Sequence, residues 1–389
     1  MYLFYRTLVG LFTLLGPKLL ITEVPRNVVL GYNVLNQLSK IINELHLGRK
    51  CLFVIGTTES DINIDTISES IKISIQETGR DVLEWKKPLQ SKTELEQLLE
   101  QVNSQQLNFF VVLGESYTIE AVKYIVQQTK ITVDWISIPT APIHDGFSSP
   151  FIFLLEDDGG EEYYGLSKPP IAILADTALL EQSSTRAINS GIGILLSKFS
   201  SNWDWKLASR LRNEPISDFT ALVSDELMML QAHNLKVTPL LPNHPQIAIT
   251  EILKGLIISG FLGSFSSNIR ASYGSEHMFA QALDHIIPRK TLRGERVALG
   301  TIMMASLQGQ DWRLIRDFYK SAGLSVTAEE LGISTTAIMK ALLNAVKYPK
   351  TLIDSERFYT ILGEEGLTED AALRLMYRTG IIGNRPGLT

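Results

Sequence analysis

Glu276-His277 heads a helical-looking segment, SEHMFAQALDHI, and Arg293-Gly294-Glu295 opens another after a break at Pro288. A catalytic zinc takes three protein ligands and keeps one position open to polarise a carbonyl or alkoxide oxygen. Histidine is a residue type that can donate to such a metal, and this stretch carries one near its head, His277. His46, His233, His244 and His285 stand in no partner pattern and read as structural or surface residues. A second stretch with chemistry in it is TAPIHDGFSS, a proline loop carrying Thr140, His144, Asp145 and Ser149, where Thr140 and Asp145 also suit the capping of a turn. A third is Gly114-Glu115-Ser116-Tyr117, which leaves an apolar run and enters a helical one. Helix N-termini attract phosphate, and they also accept a glutamate for structural reasons alone. Cys51, the single cysteine, starts the apolar run CLFVIG and reads as a buried strand residue. One cysteine excludes an internal disulfide framework and suits a reducing compartment.

These residues need a scaffold, and the apolar patterning supplies one. CLFVIGT, DVLEW, NFFVVLGE and TVDWISIPT alternate with longer polar-periodic stretches over the first half. Strands apolar on both faces, each followed by a helix, predict a parallel sheet covered by helices. FIFLLEDDGGEEYYGL (151–166) breaks that rhythm and predicts a hairpin around Asp157-Asp158-Gly159-Gly160. PPIAILADTALL returns to the sheet, and from about residue 183 the period is helical almost to the end. The expected division is an apolar extension over 1–22, a Rossmann-like α/β domain over 23–182 and an all-α domain over 183–389, with a cleft between the last two.

The chain has 389 residues, 45% of them apolar and 20% charged, an ordinary balance for a globular protein with two cores. Its net charge of -6 offers no basic excess to neutralise phosphates, which argues against a nucleic-acid partner. The apolar run between Arg6 and Lys18 is shorter than the roughly 20 residues that span a bilayer, and no small-residue cleavage site follows it. It reads as a packing helix, with a weak peripheral membrane contact as the minority reading.

Five phrases carry a resemblance. SIPTAPIHDGFSSP (137–150), INSGIGILLSKFSSNWDWKLA (188–208), GSEHMFAQALD (274–284), RGERVALGTIMMASLQG (293–309) and RFYTILGEEGLT (357–368) run in order along the chain. Together they resemble the sn-glycerol-1-phosphate dehydrogenase family, related to glycerol dehydrogenases and iron-containing alcohol dehydrogenases. The resemblance implies the dehydroquinate synthase-like fold of that group and a cytoplasmic protein of archaeal phospholipid biosynthesis. It also implies NAD(P)H-dependent reduction of dihydroxyacetone phosphate at a zinc held between the domains. Cofactor-side residues would be Gly114, Thr140 and Ser149. Asp145, Arg270 and Lys198 would face the substrate, with Asp145 the catalytic candidate. His277 falls on one metal-ligand position.

The departures are specific. The ligand aspartate after Gly-x-Gly is Ile194 here, and the second ligand histidine, before Gly-Glu, is Arg293. Isoleucine has no donor atom, and a guanidinium brings a permanent positive charge. Asp145 and Glu295 are the nearby carboxylates in sequence, but Glu295, two residues from Arg293 on one helix, points elsewhere. The family's three consecutive glycines read Gly114-Glu115-Ser116, so a carboxylate meets the pyrophosphate and side chains crowd its approach. Ile143 stands where the family has serine. The sequence therefore predicts a paralogue without the chemistry or with an altered one, doubtful in both NAD(P) and zinc. Such a protein would bind a small phosphorylated substrate or analogue and assemble as a homo-oligomer or with an active paralogue. The alternative is an active dehydrogenase with non-standard ligands. If Arg293 points into the old metal cavity, Asp145 and Glu276 are its expected partners.

Overall fold

The structure, a computed structural model, describes residues 22–56, 63–154, 163–237, 245–266, 268–288, 290–347 and 358–383. Its centre is a six-stranded parallel sheet of order β1-β8-β5-β4-β2-β3. The strands are β1 (Asn27–Gly31), β2 (Lys50–Ile55), β3 (Asp81–Trp85), β4 (Phe109–Gly114), β5 (Asp134–Pro139) and β8 (Ala172–Asp176). β6 (Phe151–Leu154) and β7 (Tyr163–Leu166) pair antiparallel, as the hairpin expectation required, with the turn between them outside the described residues.

Right-handed crossovers decide which face each connecting helix covers. α1 (Leu38–Glu44) and α2 (Ile64–Gln76) lead toward β3 and pack on one face, against Cys51, Phe53, Val111 and Ile136. α3 (Lys92–Gln105) and α4 (Ser116–Gln128) lead the other way and pack on the opposite face, against Leu52, Val54, Phe110 and Val112. The chain therefore reverses direction between β2 and β4. Ligands of open α/β sheets bind outside the carboxyl ends of strands at such a switch. Gly56 and Gly114 stand there, and Gly56 N–H donates to Leu113 O at 2.8 Å.

After β8 a single turn, α5 (Thr177–Leu180), ends the sheet half, and every described regular element beyond it is helical. These are α6 (Thr185–Leu196), α7 (Lys198–Arg212), α8 (Asp218–Val237), α9 (Pro245–Ser266), α10 (Ser275–Ile286) and α11 (Arg293–Leu307). α12 (Trp312–Ser321), α13 (Thr335–Asn344) and α14 (Glu369–Thr379) follow, with two short 3-10 turns elsewhere at 34–37 and 345–347. The fold class is the one the sequence implied. α9 has the length and apolar composition of a membrane-crossing helix, yet it lies mostly inside the protein and carries Ser259 to the site. The extension over 1–22, apart from Thr22, and His244 lie outside the described residues.

Candidate active site

Glycines bring the site together. A Cβ on Gly193 would stand 2.2 Å from Gly294 O, and one on Gly294 1.8 Å from Ser190 O, so α6 and α11 cross backbone to backbone. A Cβ on Gly191 would stand 2.0 Å from Pro142 O, which seats the HDG loop against the same helix. The SGIG and RGE phrases are thus a three-way contact. It sets Ile194 and Arg293 side by side and turns both toward a cavity that also holds His144, Asp145, Ser149 and His277. Its space is ≈ 30 Å³, roughly two waters' worth. A second hollow of ≈ 60 Å³ adjoins it across Phe153, Tyr273, His277 and Arg293.

His277 is buried, and its Nδ1 lies 2.8 Å from Glu276 Oε1. The carboxylate is an acceptor, so Nδ1 carries the hydrogen and Nε2 keeps its lone pair. Burial lowers the His277 pKa, with Arg293 acting in the same direction and Glu276 and Asp145 opposing. The ring stacks at 5.1 Å on Tyr273, which stacks at 5.6 Å on Phe153. His144 is buried as well; its Nδ1 accepts Gly146 N–H at 2.8 Å, and burial first, then Lys123, pushes its pKa down to about 3. Burial would raise Asp145, but Lys198 and the Ser259 hydroxyl that donates to it hold it below the ordinary carboxylate range.

Arg293 departs from expectation. Neither Asp145 nor Glu276 comes within the 4.0 Å of an ion pair: Ser259 engages Asp145, while Glu276 Oε1 accepts from Gly274 N–H and His277. The guanidinium lies instead over the Phe153 ring, 5.2 Å from its centroid, half-buried at the rim of both hollows. Both carboxylates take other donors, Glu276 through Oε1 alone, and the guanidinium lies on an aromatic face instead. Glu295 does point elsewhere, taking Arg186 in a bidentate pair at 2.6 and 2.8 Å.

Ile194 is 3% exposed and lines the cavity with carbon alone. Lys198 is fully buried and donates to Ser272 Oγ at 2.9 Å, one residue behind the cavity wall; burial lowers its pKa against Asp145 and Glu276. Arg270 is not a surface cation and does not line the cavity. It is fully buried over Phe358, its Nε lies 2.9 Å from Glu214, and its Nη2 donates to Tyr359 O at 2.6 Å.

At the switch point, Cβ atoms on Gly56 and Gly114 would stand 2.1 Å from Thr118 Oγ1 and 2.9 Å from Thr118 Cβ. The first turn of α4 seats directly on these strand ends. Glu115 is the helix N-cap and Ser116 the first helical residue, while Tyr117 OH donates to Gln90 O at 3.1 Å. Thr140 is buried beside them, its N–H donating to Gly114 O at 3.2 Å. Ser149 accepts Phe151 N–H at 3.2 Å.

The sequence reading missed Glu120 and Lys123. They form a buried pair at 2.8 Å; Glu120 also accepts Phe153 N–H at 2.7 Å, and Lys123 donates to Gly146 O and Phe151 O. One ion pair on α4 thereby fixes both the HDG loop and the hairpin strand under Arg293. Their signal was present, as two opposite charges three apart in the otherwise apolar IEAVKYIV. Ser259 and Tyr273 gave no signal beyond their residue types.

A profile for iron-containing alcohol dehydrogenases matches residues 29–183. A glycerol-1-phosphate dehydrogenase of Sulfurisphaera tokodaii is 35% identical over 369 residues, 93% of this chain and 98% of that protein. One of Methanosarcina barkeri is 34% identical over 92% of this chain and 96% of that protein. Both are named as NAD(P)+ enzymes. The fold matches glycerol dehydrogenase from Schizosaccharomyces pombe with a TM-score of 0.72 and 18% identity, over 94% of each chain. A probable glycerol dehydrogenase from Sinorhizobium meliloti gives 0.71 and 17%, over 94% of this chain and 100% of that one. Identity near one third, sustained over almost the whole of such relatives, means that the chain belongs to the glycerol-1-phosphate dehydrogenase family.

Proposed function

We propose that this family member keeps a binding site for a small phosphorylated ligand but does not carry out the metal-dependent reduction of dihydroxyacetone phosphate by NAD(P)H. The observation that carries the reading is the pair flanking His277. Ile194 offers no donor atom, and Arg293 opposes a divalent ion electrostatically. Among the described residues no three His, Cys, Asp or Glu side chains group as a metal would need. The donor set does not fit a zinc or iron ion. The nucleotide side supports the same reading: Glu115 stands at the N-cap position of the helix at which a pyrophosphate would rest, so its negative charge opposes phosphates there.

The retained loop still has work that its own groups can do. Neutral His144 and His277 do not compete with Asp145 for protons near neutral pH, so Asp145 stays an acceptor for a ligand hydroxyl. We place the domain boundary at 182/183 and the protein in the cytoplasm. Its partners are copies of itself or an active paralogue, and any membrane contact is peripheral, through residues 1–22.

A second reading, an active NAD(P)-dependent dehydrogenase with non-standard ligands, draws support from Asp145 and His277 facing one cavity. One preparation, purified without chelator, separates the two. Metal content below stoichiometry and no oxidation of NAD(P)H with dihydroxyacetone phosphate are expected. Stoichiometric zinc or iron with steady turnover would establish the second reading.

A further inference from the structure

We propose that Arg293 and Arg296 form an oxyanion site in the second hollow, taking the phosphate or carboxylate group of a small ligand that carries a neighbouring hydroxyl. It rests on the reading that no metal ion is held beside His277.

The arginines around the cleft make the contrast. Arg186 has Glu295 and Arg270 has Glu214. Arg296 has Asp284 at 3.2 Å. Arg293 has no carboxylate within ion-pair distance among the described residues: Glu120 pairs with Lys123, Asp145 takes Ser259, and Glu276 accepts from Gly274 and His277 through Oε1, its Oε2 buried without a partner. The contact with the Phe153 ring holds the guanidinium at the hollow without taking up its N–H donors, which remain for a ligand.

A second group points the same way. Arg296 is 6% exposed and lines the second hollow, and its Nε has no acceptor among the described residues. A buried donor without a partner costs free energy unless something completes it. Two guanidinium groups and one carboxylate, Asp284, line this hollow of ≈ 60 Å³, a net positive lining that suits an oxyanion of few heavy atoms. His277 adds the specificity. Its Nε2 lone pair, on the wall shared by both hollows, accepts a hydrogen bond and donates none, which favours a hydroxyl beside the anionic group.

Calorimetric titration with inorganic phosphate, and separately with acetate, tests the site and separates the two oxyanions. Wild type and the exposed control Arg313→Ala should bind one of them saturably and equally. Arg293→Ala should weaken that binding about ten- to a hundred-fold, the worth of charge-assisted hydrogen bonds. Arg293→Lys, which keeps the charge and loses the fork, should fall between. If the alanine variant folds poorly, Arg293→Gln keeps the aliphatic stem over Phe153 and carries the comparison. Equal affinity in wild type and the Arg293 variants, or no saturable binding in wild type, overturns the proposal. Metal content on the same samples identifies a different failure: stoichiometric zinc, with anion binding lost on chelation, sinks the underlying reading.

Discussion

Replacing His144 by asparagine should flatten the acid limb of the stability curve. Burial, then Lys123 and Arg293, hold this imidazole at about 3 against an ordinary 6.5, with Asp145 the one opposing influence. Between those values the unfolded chain binds more protons than the folded one. The stability tied to the neutral ring is therefore complete above pH 6.5 and lost as pH falls. Linkage gives a loss of about 2 kcal/mol between pH 7 and pH 5, approaching about 5 kcal/mol at the acid limit. Asp204 runs the other way, because burial and Glu276 raise its carboxyl to about 6, so its native state gains protons first as pH falls. Comparing two proteins at each pH cancels that contribution. Asparagine is the right probe because its side-chain oxygen can accept Gly146 N–H two residues on, as His144 Nδ1 does. Loss of the ring against Phe147 adds an offset that does not vary with pH. Urea unfolding at pH 7, 6 and 5 reads the difference: the gap between wild type and His144→Asn should close by about 2 kcal/mol over that range. Parallel curves would refute a neutral, buried His144.

Gly294→Ala should cost about 3 kcal/mol or more, since its Cβ meets the backbone oxygen of Ser190 at 1.8 Å; an unchanged urea midpoint would mean that the two helices do not cross there. Changing Glu115 and Ser116 together to glycine should tighten NAD(P)H binding in a fluorescence titration, and no change would show that the helix N-terminus is not the main obstacle. Ile194→Asp with Arg293→His should raise bound zinc toward stoichiometry, measured by mass spectrometry after dialysis. Arg293→His alone should not, because Ile194 still leaves a donor short; turnover from that single change would mean that the site is misplaced.

The sheet, its helices and the hairpin were legible because each rests on a periodicity a few residues long. Phe109 to Leu113 are buried on both faces, and the run FFVVL says so. Neighbours in space were not legible. Lys123 reads as half of a charge pair with Glu120 on a helix until the fold closes Gly146 and Phe151 around it. Arg270 matches a substrate-side position by sequence, yet its partners Glu214 and Tyr359 come from distant segments and draw the guanidinium into the core. For Arg293, knowing which carboxylates were near did not suffice. It lies over the Phe153 ring, which the Glu120–Lys123 pair holds beneath it, a property of the network and not of any motif.

On the proposed reading, Ile194 and Arg293 stand at two metal-ligand positions of the family and act in one electrostatic direction. Isoleucine in place of the aspartate removes a negative charge, and arginine in place of the neutral histidine adds a positive one. Together they shift the site by the charge of a divalent ion. On that reading a ligand oxygen approaching His277 meets the positive potential that a bound metal would supply, here from a fixed guanidinium. The difference lies in what the positive charge can do. A metal accepts a lone pair at short range and polarises a carbonyl strongly, whereas a guanidinium donates hydrogen bonds to charge already present. Binding of anions can survive such an exchange while activation of a carbonyl for hydride transfer does not. The retained loop with Asp145 and the altered pair beside His277 are consistent with one another on that basis.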